Sequence, residues 1–337
     1  MTNKTQELID KILKLKKEKK AVILAHNYQR PEIQDIADYV GDSIELSRKA
    51  MNEKEAEIIL FSAVDFMAES AAILNPEKKV LLPSKGARCP MAQMLPVEQV
   101  RMWKKKYPNV PVVLYVNTLA EAKAECDVCC TSANAVEIVK ALDAETVLFG
   151  PDHNLAWHVR KETGKQIIPI PERGFCPTHI LFQKEDIETL RNEHPKAVVA
   201  VHPECMPEVQ QIADFIGSTS QMCRFAKNSD AKEIVIATEV GLLHRLRKEN
   251  PNKTFIPAYE DAVCPNMKLN TLERLYLALK NEQHVVSMPK AIAEKARKAL
   301  ENMFTLLSRW SPRGLSFPLL QSSVGHKSQP AEHQLRA

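Results

Sequence analysis

No stretch of this 337-residue chain stays apolar over the about 20 residues that a membrane-spanning helix requires. A function inside a bilayer is therefore not expected. Charge of one sign is also scarce: 46 basic residues stand against 42 acidic ones, a formal net of +4. Residues 304–337 hold Arg309, Arg313, Lys327 and Arg336 against Glu332, so the remainder is close to neutral. That leaves no basic face to attract a nucleic acid. No secretory leader is expected either. The opening TNKTQELIDKILKLKKEKK reads as a charged amphipathic helix whose lysine run is a solvated face. The expectation is a cytoplasmic protein whose eight cysteines remain thiols, serving as ligands or catalysts rather than as disulfides. The segment 304–337, rich in Ser, Pro and Gln from about Ser311, carries no repeat and is expected to be a disordered tail.

What the chain does have is repetition. Cys89-Pro90, Cys176-Pro177 and Cys264-Pro265 stand at intervals of 87 and 88 residues, each after a short apolar run ending in proline. A fixed period of this kind marks an internal repeat. VILAHNY from Val22, VVLYVNT from Val112 and VVAVHPE from Val198 follow it, each apolar and turning polar at its end. So do Ser43, Ser132 and Thr219, at intervals of 89 and 87. A further set is EIILFS, ETVLFG and EIVIAT.

Each unit reads strand, helix, strand, helix, strand, Cys-Pro loop, helix. The strands are β-branched and apolar without alternation, which suits parallel strands covered on both faces. Strands alternating with helices place the chain in the α/β class with right-handed crossovers. The predicted architecture is three homologous αβα units with parallel sheets around a pseudo-threefold axis. Unit 1 spans 1–107, with 283–303 packing back on it, unit 2 spans 108–195 and unit 3 spans 196–303.

Threefold packing would bring Cys89, Cys176 and Cys264 to one point. A free cysteine is ordinarily a buried structural residue. The shared period, proline and loop position favour ligands here. Structural zinc prefers four ligands in close C-x2-C pairs, and no fourth partner recurs. Iron–sulfur cubanes normally take four thiolates. Held by three, such a cluster leaves one iron open as a Lewis acid. Cys126, Cys129 and Cys130 form a local C-x2-C-C, open to a zinc or redox-dithiol reading. They occur in one unit only and read better as small packing residues, as do Cys205 and Cys223.

Ligands of open parallel sheets bind beyond the carboxyl ends of the strands. Those ends carry His26, Asn27 and Tyr28, then Tyr115 and Asn117, then His202 and Glu204. These are acid–base and hydrogen-bonding groups. One such histidine alone would be a satisfied structural residue; three related ends read as a pocket. Ser43, Ser132 and Thr219 fall where helices begin, as N-caps that can also hold a phosphate or carboxylate. The bare chemistry is Lewis-acid elimination or condensation on a small polyanion. Two competing readings are an oxygen or iron sensor, and a zinc lyase or hydrolase with three thiolates and water.

The stretches HNYQRPEIQDIADYVGDS, FMAES, ARCPMAQM, YVNT, CTSANAV, FGPDHNLA, HPEC, GSTSQM, TEVG and CPNMK together resemble the quinolinate synthase family, from about Ala21 to Met303. The resemblance implies three αβα domains around a central [4Fe-4S] cluster, one per chain, ligated by Cys89, Cys176 and Cys264. It implies condensation of iminosuccinate with dihydroxyacetone phosphate to quinolinate, phosphate and water, in NAD biosynthesis. L-aspartate oxidase would supply the imine. His26, Ser43, Tyr115, Asn117, Ser132, His202, Glu204 and Thr219 would bind substrate. Tyr28, Glu204 and His202 would transfer protons. Residues 304–337 match nothing associated with the family.

Overall fold

Three four-stranded, wholly parallel sheets form the framework, one per repeat. The computed structural model describes residues 3–309. The first repeat runs α1 (Asn3–Glu18), β1 (Ala21–His26), α2 (Pro31–Ile36), β2 (Tyr39–Gly41), α3 (Ser43–Asn52), β3 (Ile58–Ser62), α4 (Asp65–Leu74), β4 (Lys79–Leu81), α5 (Pro90–Gln93) and α6 (Val97–Lys106). The second runs β5 (Val112–Tyr115), α7 (Ala120–Lys123), β6 (Val128–Cys130), α8 (Ala135–Ala141), β7 (Thr146–Gly150), α9 (His153–Thr163), β8 (Gln166–Pro169) and, after a 3-10 turn at His179–Leu181, α10 (Lys184–Glu193). The third runs β9 (Val198–Val201), α11 (Pro207–Gln211), β10 (Phe215–Ile216), α12 (Thr219–Asn228), β11 (Glu233–Ala237), α13 (Leu242–Glu249), β12 (Thr254–Pro257) and, after a 3-10 turn at Met267–Leu269, α14 (Leu272–Asn281). The helix α15 (Lys290–Arg309) follows. Among the described residues no helix is long and apolar enough to cross a membrane.

The sheet orders are β2-β1-β3-β4, β6-β5-β7-β8 and β10-β9-β11-β12. Each repeat thus has four strands where three are expected. The extra ones, β2, β6 and β10, are three, three and two residues long and lie inside stretches read as helical. So short a strand shows no period in sequence. Pairing with the first strand of its unit defines it, as in Leu24↔Tyr39 and Tyr115↔Cys130. The central strands read as expected: β3 is buried along its whole length.

The units exchange helices. Val100 and Trp103 of α6 pack on Val112, Leu114 and Leu148 of the second sheet. Ile187 of α10 packs with Val199 and Val201 of the third. Leu275 and Leu279 of α14 join Ile12 of α1 and Ile23 and Leu60 of the first. The helix after each Cys-Pro turn therefore covers the sheet of the next unit, and boundaries at 107, 195 and 303 cut across this packing. Residues 284 and 286 pair with unit 1, through Leu82 N–H to His284 O (3.1 Å) and Val286 N–H to Val80 O (2.9 Å). The helix α15 lies across units 1 and 2, burying Ala296, Ala299, Leu300 and Met303 in a core with Ile73, Ala120 and Val128. It continues to Arg309, so residues 304–309 are helical rather than tail; 310–337 lie outside the described residues.

A second device closes the ring. Gln34 Nε2 donates to Asn27 O and Gln29 O in its own unit, and to Gly241 O of unit 3 at 2.9 Å. Gln210 Nε2 donates to Pro203 O and Cys205 O, and to Asn154 O of unit 2 at 3.4 Å. Lys123 occupies the equivalent place in unit 2. It is fully buried, donates to Thr118 O, and lies 5.5 Å over the Phe66 ring of unit 1. Its charge is answered by Glu69, also of unit 1.

Candidate active site

Twelve of the residues singled out from the sequence line one cavity of about 120 Å³ at the carboxyl ends of the three sheets: His26, Tyr28, Ser43, Cys89, Tyr115, Asn117, Ser132, Cys176, His202, Glu204, Thr219 and Cys264. Asn27 does not line it; its amide is held by Thr219 and Arg245. The placement follows from topology. The first strand of each unit ends beside the crossover between first and third strands, where open α/β sheets leave a crevice. The cysteines arrive on turns after the fourth strand, each just before a proline. A larger recess, of about 570 Å³, lies at the opposite strand ends of the first sheet, and two ion pairs on its wall are Lys19–Glu282 at 2.6 Å and Lys20–Glu57 at 2.5 Å.

The two strand-end histidines are built alike. His26 Nδ1 accepts the Tyr28 N–H at 3.2 Å, and His202 Nδ1 accepts the Glu204 N–H at 3.3 Å. Each ring is thereby fixed with its proton on Nε2. Burial lowers both to about 3, so both are neutral at pH 7. At the corresponding position of unit 2 stands Tyr115. Its hydroxyl donates to Glu204 Oε1 at 2.6 Å, and Ser132 hydrogen-bonds the same phenol. Asn117 keeps a buried Oδ1 without a hydrogen-bond partner.

Glu204 is 3% exposed. Burial alone would raise its pKa, but His179, His202 and the Tyr115 hydroxyl outweigh it and hold the carboxyl below its ordinary range. His179 Nδ1 stands 2.8 Å from Glu204 Oε2. On its other side, His179 Nε2 lies 2.9 Å from Thr238 Oγ1 and 3.4 Å from the Tyr28 hydroxyl, which itself sits 2.6 Å from Thr238 Oγ1. His179 and His202 stack at 4.4 Å. Burial pushes the Tyr28 and Tyr115 phenols well above their usual values, with the Glu204 charge adding to it.

His179 escapes a reading by period, because the matching positions are Ala92 and Met267; Thr238 ends the set EIILFS, ETVLFG and EIVIAT, where its matches are Ser62 and Gly150 and where it reads only as the end of a strand. The one available signal was a histidine three residues after Cys176. The helix starts also differ from expectation, by one residue at Ser43 and Thr219 and by two at Ser132. The caps of α3 and α12 are Asp42 and Ser218, which accept the N–H of Glu45 and Gln221, and Asn134 occupies that place before α8. Ser43 and Thr219 therefore sit in the first turn, freed from capping. Ser218 Oγ donates to Asp42 Oδ2 at 3.0 Å, which holds the two helix starts side by side. Thr219 Oγ1 accepts Asn27 Nδ2 at 2.8 Å.

The quinolinate synthetase A protein family matches residues 10–305. The chain belongs to this family. Curated relatives named quinolinate synthase agree. That of Methanothermobacter thermautotrophicus is 55% identical over 292 residues, covering 87% of this chain and 96% of its own. That of Pyrococcus furiosus is 55% identical over 303 residues, covering 90% and 99%. That of Thermotoga maritima is 52% identical over 300 residues, covering 89% and 100%. The chain is thus an enzyme of the quinolinate synthase family, and the family implies an iron–sulfur centre.

The residues fit such a group. Cys89, Cys176 and Cys264 are free, half-buried, and line the same cavity. Burial raises all three thiols, and each of Cys89 and Cys176 is raised further by its fellow cysteines. Among the described residues the one group of potential ligands that closes to within 4.8 Å is Cys176, His179 and Glu204. The three sulfurs therefore do not all lie within 4.8 Å of one another. Cys126 and Cys129 lie apart from them, with sulfurs 3.8 Å from one another. Cys205 and Cys223 are buried in packing clusters of unit 3.

Proposed function

We propose that this enzyme condenses iminosuccinate with dihydroxyacetone phosphate to quinolinate, phosphate and water in NAD biosynthesis. One [4Fe-4S] cluster would be held by Cys89, Cys176 and Cys264. The single observation that supports this best is the convergence of one thiol from each unit on a cavity rich in anion-binding groups. Bound by these three thiolates, the cluster would supply a Lewis acid for departure of a hydroxyl.

The protein's own groups divide the remaining work. His26 and His202, neutral and fixed on Nδ1, present Nε2–H to substrate carboxylates. Ser43 and Thr219, with the first turns of α3 and α12, hold the phosphate or a carboxylate through hydroxyl, N–H and helix dipole. Asn117 and Ser132 complete this set in unit 2. Tyr28 takes the substrate proton on its oxygen while its own passes to His179 Nε2. Glu204, anionic 2.8 Å from Nδ1, stabilises the imidazolium. With Nδ1 engaged by the Glu204 N–H, we read His202 as a binding group rather than as a proton carrier. We place the reaction in the cytoplasm, with L-aspartate oxidase as source of the imine.

Anaerobic iron and sulfide analysis, combined with single-turnover quinolinate formation, tests this. About four irons and four sulfides per chain and product from the two substrates are expected. Zinc without acid-labile sulfide would favour a mononuclear site at Cys176, His179 and Glu204, whose ligand atoms already lie within 4.8 Å. A full cluster without turnover would favour a sensor.

A further inference from the structure

Each cysteine turn is clipped to the start of a helix in its own unit. The carbonyl two residues before the cysteine accepts a backbone N–H: Asp65 to Ala87 (2.8 Å), His153 to Gly174 (2.8 Å) and Val240 to Ala262 (3.0 Å). The cysteine's own N–H then meets a carboxylate. Cys89 N–H donates to Asp65 Oδ1 at 2.9 Å, and Cys264 N–H to Glu239 Oε1 at 3.1 Å. Asp152 stands at the same place beside Cys176 N–H, which works against the rise that burial gives its pKa, but its Oδ2 has no hydrogen-bond partner. The three acids stand at intervals of 87 residues, the period of the cysteines.

Each acid also anchors itself to the helix start. Asp65 accepts Phe66 N–H at 2.9 Å, Asp152 accepts Leu155 N–H at 2.7 Å, and Glu239 accepts Gly241 N–H at 2.7 Å. Asp152 and Glu239 are fully buried. Three carboxylates beside three thiolates repel the charge those thiolates would carry, so helix capping alone does not explain them; Ser or Asn would cap as well. A charge-assisted bond to the cysteine N–H is stronger than a neutral one and fixes the direction in which the side chain leaves the backbone.

We infer that Asp65 and Glu239 are positioning residues of the thiol centre, each holding the backbone N–H of one of its cysteines, with Asp152 at the equivalent place beside Cys176 in unit 2. The inference rests on reading those cysteines as cluster ligands. It also accounts for an asymmetry four residues after each cysteine. Gln93 Nε2 lies 3.3 Å from Asp65, with Arg88 at 3.7 Å, and Lys268 Nζ lies 2.8 Å from Glu239. Unit 2 has Ile180 there, so the Asp152 carboxylate has no such partner.

The test compares full-length parent, Asp65→Ala and Asp65→Asn, all loaded anaerobically with iron and sulfide. The readout is the rate of iron release to a ferrous chelator. Asp65→Ala should release iron on the order of tenfold faster than the parent, as outer-shell losses at metal sites do. Asp65→Asn keeps an acceptor for Cys89 N–H and should restore most of the retention. It should also move the reduction potential of the bound centre upward, since one negative charge is gone. Release from Asp65→Ala at the parent's rate overturns the inference. So does an equal fault in both variants with an equal fall in the melting temperature of the metal-free chain, which would make Asp65 a helix-start residue only. A parent that binds no iron and sulfide refutes the cluster reading itself, a result distinct from both.

Discussion

Lowering the pH should destabilise this protein chiefly through two histidines. His26 and His202 are buried, and burial lowers each from the ordinary 6.5 to about 3. In the unfolded chain both titrate near 6.5. Between those values the unfolded state binds protons that the folded state refuses, so stability rises with pH there. The contribution is fully present above 6.5 and is lost as pH falls toward 3. From pH 7 to pH 5 the loss is about 2 kcal/mol per histidine, or about 4 for the pair. That is a large share of the roughly 5–15 kcal/mol that keeps a domain folded. The buried carboxyls of Glu69, Asp152 and Glu239, raised by desolvation, act in the opposite sense and gain from acid. A difference measurement removes them. Urea unfolding of the reduced, metal-free chain at pH 7 and pH 5 is compared with that of His26→Asn/His202→Asn. Asparagine retains an acceptor near Nδ1, so the N–H groups of Tyr28 and Glu204 keep a partner. The parent should lose about 4 kcal/mol more than the double variant over this interval. Equal losses would refute the reasoning, because the two rings would then be protonated in the folded protein.

Tyr28→Phe removes the hydroxyl that Thr238 and His179 engage; kcat should fall by about 10²–10⁴ with iron and sulfide content unchanged, as measured anaerobically with both substrates. Cys89→Ala should abolish the visible absorbance of the cluster and quinolinate formation together, read by spectrum and product assay. Lys123→Met removes the buried cation that faces half-buried Glu69 of unit 1; the metal-free chain should lose about 1–3 kcal/mol in urea unfolding, and Lys123→Met/Glu69→Gln should recover part of it.

Much of this site was legible because the chain repeats itself. The twelve residues picked at period-related positions share one cavity, since equivalent strand ends and equivalent turns are brought to one place by equivalent folds. The same logic explains what stayed hidden. His179 has no counterpart in the other two units, so a period cannot find it, and Thr238 is matched only by the hydroxyl of Ser62, with Gly150 in unit 2. The strand β10 is two residues long and exists only because β9 lies beside it. The exchange of α6, α10 and α14 between units is a packing fact, visible in which sheet Trp103 or Leu275 touches and not in the local pattern of either helix.

The asymmetry is what makes a reaction site out of a symmetric scaffold. Positions 26, 115 and 202 are His, Tyr and His; positions 28, 117 and 204 are Tyr, Asn and Glu. Three identical ends would offer one kind of group three times, suited to holding an ion and little else. Here one end of the cavity has an anionic carboxylate with a phenol donor, another has a phenol beside Thr238, and His179 joins the two through its opposite ring nitrogens. The cysteines, by contrast, keep their identity in all three units, along with their prolines and their flanking carboxylates. On the proposed reading, the groups that are the same in all three units would hold the symmetric cluster, and those that differ would tell the two ends of a substrate apart.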